Sequence, residues 1–209
     1  MQRARSDDDK DTRRQLLLDA ALDEFFERGF SAARMEDIAR RADLSKGTLY
    51  LYFKSKDDLF REIIAHLATP NLELVKGMIS AAPGFAEAMD RLASFAPIMI
   101  RQTRMPKLMK VMIGDSHNFP NIILDYRRTV LEELIGLFGG LFERANAAGE
   151  VEVADPTLAA RIVMGPVALS GLWQAVFGRT PDAEIDLESL FRMHADAMKK
   201  AFAPTAQTS

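Results

Sequence analysis

The residues best suited to recognition chemistry lie in one segment of the chain, 45–56. The ammonium of Lys46 can donate hydrogen bonds to a guanine edge or to a phosphate, and the methyl group of Thr48 can contact a thymine methyl. The hydroxyls of Tyr50 and Tyr52 can donate hydrogen bonds to phosphate oxygens. These side chains are suited to contact with nucleic acid rather than to bond-making chemistry.

Two short helices joined by a tight turn would place these side chains on one surface. Ser45 is a favourable N-cap for the second helix, and Gly47 has no side chain to hold that helix away from a duplex. The residues expected to face inward are Ile38, Ala39 and Ala42 on the first helix, and Leu49 and Phe53 on the second. This arrangement is the helix-turn-helix, whose second helix enters the major groove of DNA.

The local charge agrees with a DNA-binding surface. The whole chain has a net charge of −3, so a phosphate-binding region must be confined to part of it. From residue 28 to residue 56 the basic residues are Arg28, Arg34, Arg40, Arg41, Lys46, Lys54 and Lys56, and the acidic residues are Glu36, Asp37 and Asp43. This segment is therefore predicted to be a positive patch, with Lys56 as a phosphate contact.

Helical periodicity extends through nearly the whole chain and predicts an all-α fold. Apolar residues spaced i, i+3, i+4 and i+7 from Leu18 form one stripe on a helix that ends at Gly29. Residues 1–60 are thus predicted to be a three-helix DNA-binding domain. Residues 61–209 are predicted to be a helical bundle, in which prolines such as Pro70 and Pro97 punctuate the chain. The bundle's predicted helices are 84–103, 105–114, 119–147, 156–177 and 187–202.

Several function classes find no support in the sequence. The chain has no cysteine, which excludes disulfides, thiolate zinc sites and cysteine nucleophiles. His66, His117 and His194 are far apart in the sequence, so neither a metal nor another cofactor is expected. No catalytic triad, glycine-rich phosphate loop or HExxH motif indicates an enzyme. The apolar stretches look too short or too interrupted to span a membrane, and the cytoplasm is the expected location.

A long series of residues at fixed spacing runs from 29 to 59. It comprises Gly29, Phe30, Met35, Ile38, Ala39, Ala42, Leu44, Ser45, Gly47, Thr48, Leu49, Tyr50, Tyr52, Phe53, Ser55, Lys56 and Leu59. In these residues the chain resembles the TetR/AcrR family of bacterial regulators. It departs from the family pattern at Ala33 and Arg34, which replace threonines, and at Asp43, which replaces the turn glycine. The resemblance implies a phosphate contact that Arg34 can make over a longer reach, while Asp43 tolerates a left-handed backbone better than most residues.

The same resemblance implies a pocket for a small effector in the second domain. Candidates for its lining are Phe95, Met99, Met112, Tyr126 and Trp173. They carry no charge, so the expected effector is apolar or aromatic, oriented by polar contacts from Tyr126 and Trp173. Each of these residues would look the same in an ordinary core. The expected mechanical route to the DNA is a shift of the helix that begins at Ser55.

A dimer is expected because one short recognition helix reads too few base pairs for useful specificity. Two copies would bind a palindromic operator. The interface is predicted on the last two long helices, at Gly165, Ala168 and Leu172 on the first and at Leu187, Leu190, Phe191, His194 and Met198 on the second. The alternative is that both stripes pack only within one subunit.

The sequence therefore predicts a DNA-binding transcriptional regulator, and more particularly a repressor that a small apolar effector releases from its operator. An activator, or a regulator without a ligand, stays open as an alternative within this class. The alternative from a different class is a helical enzyme or ligand carrier whose N-terminal hairpin is vestigial. The intact run from Gly47 to Tyr50, in positive surroundings, favours the first hypothesis.

Overall fold

The computed structural model describes residues 2–178 and 180–205, with side chains from residue 9 onward apart from 181. This part of the chain is helical and contains no strand, so the all-α prediction is confirmed. A π-helical segment, Arg127–Leu131, joins the seventh helix to the eighth. The α-helices are α1 (Gln2–Arg28), α2 (Met35–Arg41), α3 (Lys46–Tyr52), α4 (Lys56–Ser80), α5 (Phe85–Gln102), α6 (Met105–Asp115), α7 (Pro120–Tyr126), α8 (Glu132–Ala147), α9 (Pro156–Phe177) and α10 (Leu187–Ala201).

Helix ends follow local chemistry that can be read in the sequence. Gly29, just after α1, has a φ of +81°, a backbone conformation that favours glycine. The Asp155 carboxylate accepts a hydrogen bond from the backbone N–H of Leu158 at 2.9 Å and so caps α9. Pro70 lies inside α4, although it was expected to punctuate the chain, whereas Pro97 lies inside α5, within the predicted helix 84–103. A long helix that is packed elsewhere can accommodate the loss of one backbone N–H.

α9 corrects the expectation that no segment could span a membrane. By length and composition it could cross a bilayer: the mean hydropathy of its most apolar window is 1.3, and 22% of that window is buried. One such helix is weak evidence for a membrane protein. The exposed apolar surface of α9 nevertheless requires an explanation, because contact between a large apolar surface and water is energetically unfavourable.

The chain folds as two compact units. The first comprises the described residues up to Leu67 together with Lys107–Asp125. The second comprises Ala68–Pro106 together with the described residues from Tyr126 onward. The first unit therefore extends beyond the predicted domain 1–60 and includes most of α6 and α7.

Four buried phenylalanines form the aromatic centre of the first unit. Phe25 comes from α1, Phe30 from the loop after it, Phe60 from α4 and Phe119 from the residue before α7. The Phe30 ring centroid lies 5.0 Å from that of Phe25 and 4.8 Å from that of Phe119, and the Phe60 and Phe119 centroids are 4.7 Å apart. Segment 107–125 thus completes the core beneath the predicted DNA-binding helices, and each such aromatic pair adds about 0.5–1.5 kcal/mol to the free energy of unfolding.

The second unit has two apolar clusters. In the larger one, the Phe85 ring centroid lies 5.1 Å from that of Phe142, which lies 5.0 Å from that of Phe202. The smaller cluster joins α5 to α10 and consists of Ala96, Ile100, Leu187 and Phe191. α10 is therefore held against α5 by its own apolar stripe.

Candidate nucleic-acid interface

α3 has one anchored face and one exposed face. Leu49 is fully buried, and Phe53, directly after the helix, is 2% exposed. Each residue of an α-helix is rotated by about 100° from the one before it, so Gly47 and Leu51 lie opposite Leu49. Leu51 is 85% exposed and Tyr50, beside it, is 44% exposed. The helix is thus fixed to the first unit by one side and presents the other to solvent.

Ser45 sets the start of α3 as predicted. Its Oγ accepts a hydrogen bond from the backbone N–H of Thr48 at 3.0 Å, which satisfies one of the free donors of the first turn. The Thr48 hydroxyl lies 2.8 Å from the same Oγ. The two hydroxyls are therefore hydrogen-bonded to each other, and this bond orients the Thr48 side chain in the free protein.

The turn between α2 and α3 depends on Asp43. This residue has a φ of +55°, the left-handed conformation for which the family pattern has glycine. Its N–H donates to the carbonyl of Arg40 at 3.1 Å, and the N–H of Leu44 donates to the carbonyl of Ala39 at 2.9 Å. These two hydrogen bonds form a Schellman motif, which ends α2 and directs the chain into α3.

An ion-pair cluster fastens α2 to α1. The Arg41 guanidinium binds Glu27 through two hydrogen bonds, at 3.1 and 2.5 Å, and donates another to the buried carboxylate of Glu24 at 3.2 Å. The hydrogen bond from Arg41 lowers the pKa of Glu27, and the same contact raises the pKa of Arg41. Arg28 also lies against Glu24, with its Nε 2.9 Å from Oε1. Arg41 thus stabilises the helix pair, whereas Arg28 pairs with Glu24 within α1, and these carboxylates offset the charge of both guanidinium groups.

The positive patch is consequently weaker than the sequence count predicts. Arg40 forms an ion pair with Asp37, and Lys46 forms one with Glu36. The sequence count covered residues 28–56 and so left out Glu24 and Glu27, the two carboxylates that pair with Arg28 and Arg41. Among the described residues of this segment, the basic side chains for which no ion pair or hydrogen bond is found are those of Arg34 and Lys54, both of them exposed.

Lys46 lies at the exposed start of α3, paired across the turn. Its Nζ is 2.5 Å from Oε1 of Glu36 and 5.8 Å from the centre of the Tyr50 ring. The hydrogen bond between them raises the pKa of Lys46 and lowers that of Glu36, so both remain charged near neutral pH. The pair is solvent-exposed, a setting in which ion pairs are weak and readily exchanged for other partners.

Lys56 has a different environment from the one expected of a phosphate contact. Its Nζ donates to the backbone carbonyls of Phe30 at 2.7 Å and Ser31 at 3.0 Å and lies 5.0 Å from the centre of the Phe30 ring. Partial burial lowers the pKa of Lys56. The ammonium thus closes the loop after α1, and only one of its N–H groups is left for another acceptor.

The remaining predicted contacts lie around the same exposed face. Arg34 is the exposed residue before α2 and has an extended backbone with a φ of −118°. Tyr52 ends α3 half-buried, with its ring 6.2 Å from that of Phe53. The sequence did not single out Leu51 or Glu36, although the opposite placement of Leu51 and Leu49 follows from helical spacing alone.

The predicted effector residues fall in both units. Met112 is buried in the first unit, whereas Phe95, Met99, Tyr126 and Trp173 belong to the second. Met99 packs against the cluster between α5 and α10, which matches the ordinary-core alternative. Burial raises the pKa of Tyr126. The Trp173 ring is 38% exposed, and its Nε1–H donates to the carbonyl of Ala183 at 2.7 Å, so its polar group already has a partner.

The predicted dimer stripe on α10 lies partly against the rest of its own chain. Leu187 and Phe191 are 3% and 2% exposed within the single chain, and Leu190 packs beside them. Met198 packs on the larger cluster, and the His194 Nε2 lies 3.1 Å from the carbonyl of Val163. Leu187 and Phe191 therefore pack within one subunit, whereas Leu190, His194 and Met198 are only half-buried, and their place in a dimer interface stays a prediction.

α9 shows the opposite pattern. Of its predicted interface residues, Gly165 and Ala168 are exposed and Leu172 is half-buried. Large apolar side chains lie exposed along the same helix, mostly three, four or seven residues apart, which places them on one broad face. They are Leu158, Ile162, Leu169, Trp173, Val176 and Phe177.

Comparison with known proteins gives the family context of these features. Residues 17–63 match the family model of bacterial regulatory proteins of the tetR family, and residues 87–195 match that of the AefR-like transcriptional repressor C-terminal domain. The regulator AcrR of Shigella flexneri is 40% identical over 143 residues, which are 68% of this chain and 54% of AcrR. The regulator YhgD of Bacillus subtilis is 25% identical over 152 residues, 73% of this chain and 78% of YhgD.

A solved structure shares the fold. The complex of triclosan with SmeT, a repressor from Stenotrophomonas maltophilia, superposes with a TM-score of 0.73 at 21% identity and covers 93% of both chains. The helical architecture of both units therefore has a counterpart in a protein of known structure.

Proposed function

This chain belongs to the TetR family of bacterial regulatory proteins, and from that premise we propose that it is a sequence-specific DNA-binding transcriptional regulator. The observation that carries the proposal is the geometry of α3. Its inner face is anchored by Leu49, its first turn is capped by Ser45, and its outer face is open around Gly47. Such a helix can enter the major groove without any rearrangement of its own unit.

Phosphate contacts come from the rim of this face. We assign them to the exposed side chains of Arg34, Lys54 and Tyr50 and to the half-buried Tyr52, with Lys46 exchanging Glu36 for a base edge or a phosphate. Lys56 makes at most a secondary contact, since two of its three N–H groups are occupied by backbone carbonyls. Because few basic side chains on this face are unpaired, we expect modest non-specific affinity for DNA. Tight binding must then come from base contacts and from a second copy of the chain.

We further propose that two copies associate through the exposed apolar face of α9. A dimer would cover Leu158, Ile162, Leu169 and Val176, and the small residues Gly165 and Ala168 allow close approach of two helices. This accounts for the hydropathy of α9 without a membrane, and it supplies the second recognition helix that a palindromic operator requires. The α10 residues stay a separate prediction, and Leu187 and Phe191 among them are buried within the single chain.

The sign of regulation and the effector form a third proposal. Repression is supported by the match of residues 87–195 to a transcriptional repressor domain. SmeT has been solved with triclosan, and a similar apolar, aromatic class of effector suits the uncharged side chains of Phe95, Tyr126 and Trp173. Release of DNA requires that the effector binds the non-operator conformation more tightly. Trp173 is the only tryptophan, so its fluorescence reports binding in the second unit directly.

A cytoplasmic location and the lack of catalysis follow from this function. A regulator must reach chromosomal DNA, and membership of a family of regulatory proteins points away from an enzyme. The alternative of a helical enzyme or carrier with a vestigial hairpin is not favoured, because the cap, the turn and the exposed face of α3 are all intact.

Selection from a pool of random-sequence duplexes tests the proposal without knowledge of the operator. We expect the full chain to enrich a palindromic sequence whose half-sites lie about one turn of B-DNA, roughly 34–36 Å, apart. Enrichment of no sequence by folded protein would contradict specific recognition.

A further inference from the structure

The most exposed large apolar side chain in the described part of the chain is Leu51, at 85%. It lies in α3, opposite the fully buried Leu49. Gly47, one turn earlier on the same face, adds no side chain, and a Cβ placed there would meet only Ser45 Oγ at 3.7 Å. Leu51 therefore projects from the centre of the face that we propose enters the groove, with nothing of its own chain in front of it.

Leu51 contributes little to the stability of the chain. A side chain that is 85% exposed buries almost none of its apolar surface, and a leucine has no hydrogen-bonding group with which to bind phosphate. A polar residue would serve solubility better at this position. The side chain is thus placed for a contact that the isolated chain does not make.

We propose that Leu51 is a specificity-determining residue that contacts the C5 methyl group of a thymine in the major groove. The inference rests on the proposed DNA-binding function. Thymine is the only base that displays a methyl group in that groove, and apolar side chains are its natural partners. A cytosine there would place an amino donor against Leu51, which offers no acceptor, so the leucine both favours thymine and disfavours cytosine.

The surroundings of Leu51 favour DNA over a protein partner. A protein interface needs a contiguous apolar patch, whereas the neighbouring exposed side chains are polar or charged: Lys46, Tyr50 and Lys54. The charge of this rim suits phosphates that flank a groove. A single leucine within such a rim fits one methyl group rather than a hydrophobic docking surface.

The test replaces thymidines by deoxyuridine, which lacks only the methyl group. Duplexes carrying the sequence selected by the wild-type chain are made with each thymidine replaced singly, and dissociation constants are measured by fluorescence anisotropy at one salt concentration. We expect at least one symmetric pair of positions at which the replacement weakens wild-type binding by about fourfold per methyl group. In Leu51→Ala the same replacement changes affinity by less than about 1.5-fold.

Two controls complete the design. Leu74→Ala removes another exposed leucine, 52% exposed on α4, and should keep the full sensitivity to deoxyuridine. Sedimentation of Leu51→Ala should show the same oligomeric state as wild type. The proposal is overturned if Leu51→Ala keeps the deoxyuridine sensitivity, if no thymine methyl affects wild-type binding, or if the variant alters self-association. Failure of the wild-type chain to bind any duplex would instead reject the proposed function, and this inference with it.

Discussion

The ammonium of Lys46, in the first turn of α3, lies 2.5 Å from the carboxylate of Glu36 on α2. The two residues pair across the turn of the helix-turn-helix, on its exposed surface. Glu36 occupies one of the three N–H donors of Lys46 and places a negative charge beside any base edge or phosphate that Lys46 approaches. We therefore expect Glu36 to compete with DNA for Lys46.

Replacing Glu36 by glutamine should remove this competition. We expect Glu36→Gln to raise the affinity for a random duplex at low salt by up to about fivefold, the upper range for an exposed ion pair. The slope of log K against log salt should steepen by up to one unit, because one more cation meets a phosphate. In a Lys46→Met background the gain should largely disappear. An equal gain in both backgrounds would mean that Glu36 merely repels phosphates.

Substitutions of Lys54 and Lys56 should have different effects, the first on DNA binding and the second on the free energy of unfolding. Lys54 is exposed and unpaired among the described residues, so Lys54→Met should reduce the salt slope by about one unit without changing the free energy of unfolding. Lys56→Met removes two charge-assisted hydrogen bonds and should lower the free energy of unfolding by about 1–3 kcal/mol. Salt titrations and urea denaturation measure the two effects. If Lys56→Met also reduced the slope of log K against log salt by about one unit, Lys56 would be a phosphate contact after all.

Asp43 should be replaceable by glycine but not by alanine. Its φ of +55° is strained for a residue with a Cβ, and aspartate tolerates it better than alanine. Asp43→Gly should leave the free energy of unfolding unchanged or raise it by up to about 1 kcal/mol, whereas Asp43→Ala should lower it by about 1 kcal/mol. Urea denaturation of the three proteins decides the point. Equal stability of the two variants would argue against a left-handed turn.

The proposed interface on α9 predicts which substitutions dissociate the dimer. Ile162 and Leu169 are 53% and 67% exposed in the single chain, so the double variant Ile162→Glu, Leu169→Glu should fold and sediment as a monomer. Leu74→Glu, at a similarly exposed leucine on α4, should remain dimeric. Phe191→Glu should lower stability, because its ring lies in the core between α5 and α10. A dimer that survives the double substitution would place the interface elsewhere.

Local features of the fold could be read from the sequence. The predicted helix 84–103 is found as Phe85–Gln102, and Ser45 caps the helix that it was expected to cap. Periodicity and capping depend on neighbours within about one turn. For the same reason the inward positions of Leu49 and Phe53, and hence the open face of α3, followed from spacing.

Features that depend on distant partners could not be predicted in this way. The apolar stripe of α10 indicates that one face is buried but not whether α5 or a second subunit buries it. Helical periodicity identifies a face only when apolar and polar residues alternate around the helix. α9 is apolar on several faces, so the sequence did not show which of them is exposed. The pairing of Arg41 with Glu24 and Glu27, which weakens the positive patch, joins residues on separate helices and requires the folded unit.

A mobility-shift titration on the DNA that flanks the chain's own gene tests the central claim most directly. Wild-type protein at low salt should retard this DNA, and unlabelled DNA of the same sequence should compete better than a scrambled duplex. Gly47→Asp should fold, since a Cβ at Gly47 meets only Ser45 Oγ at 3.7 Å, yet it should fail to bind because it adds bulk and negative charge to the centre of the exposed face. No retardation by folded wild-type dimer, or equal retardation by Gly47→Asp, would contradict DNA recognition through α3.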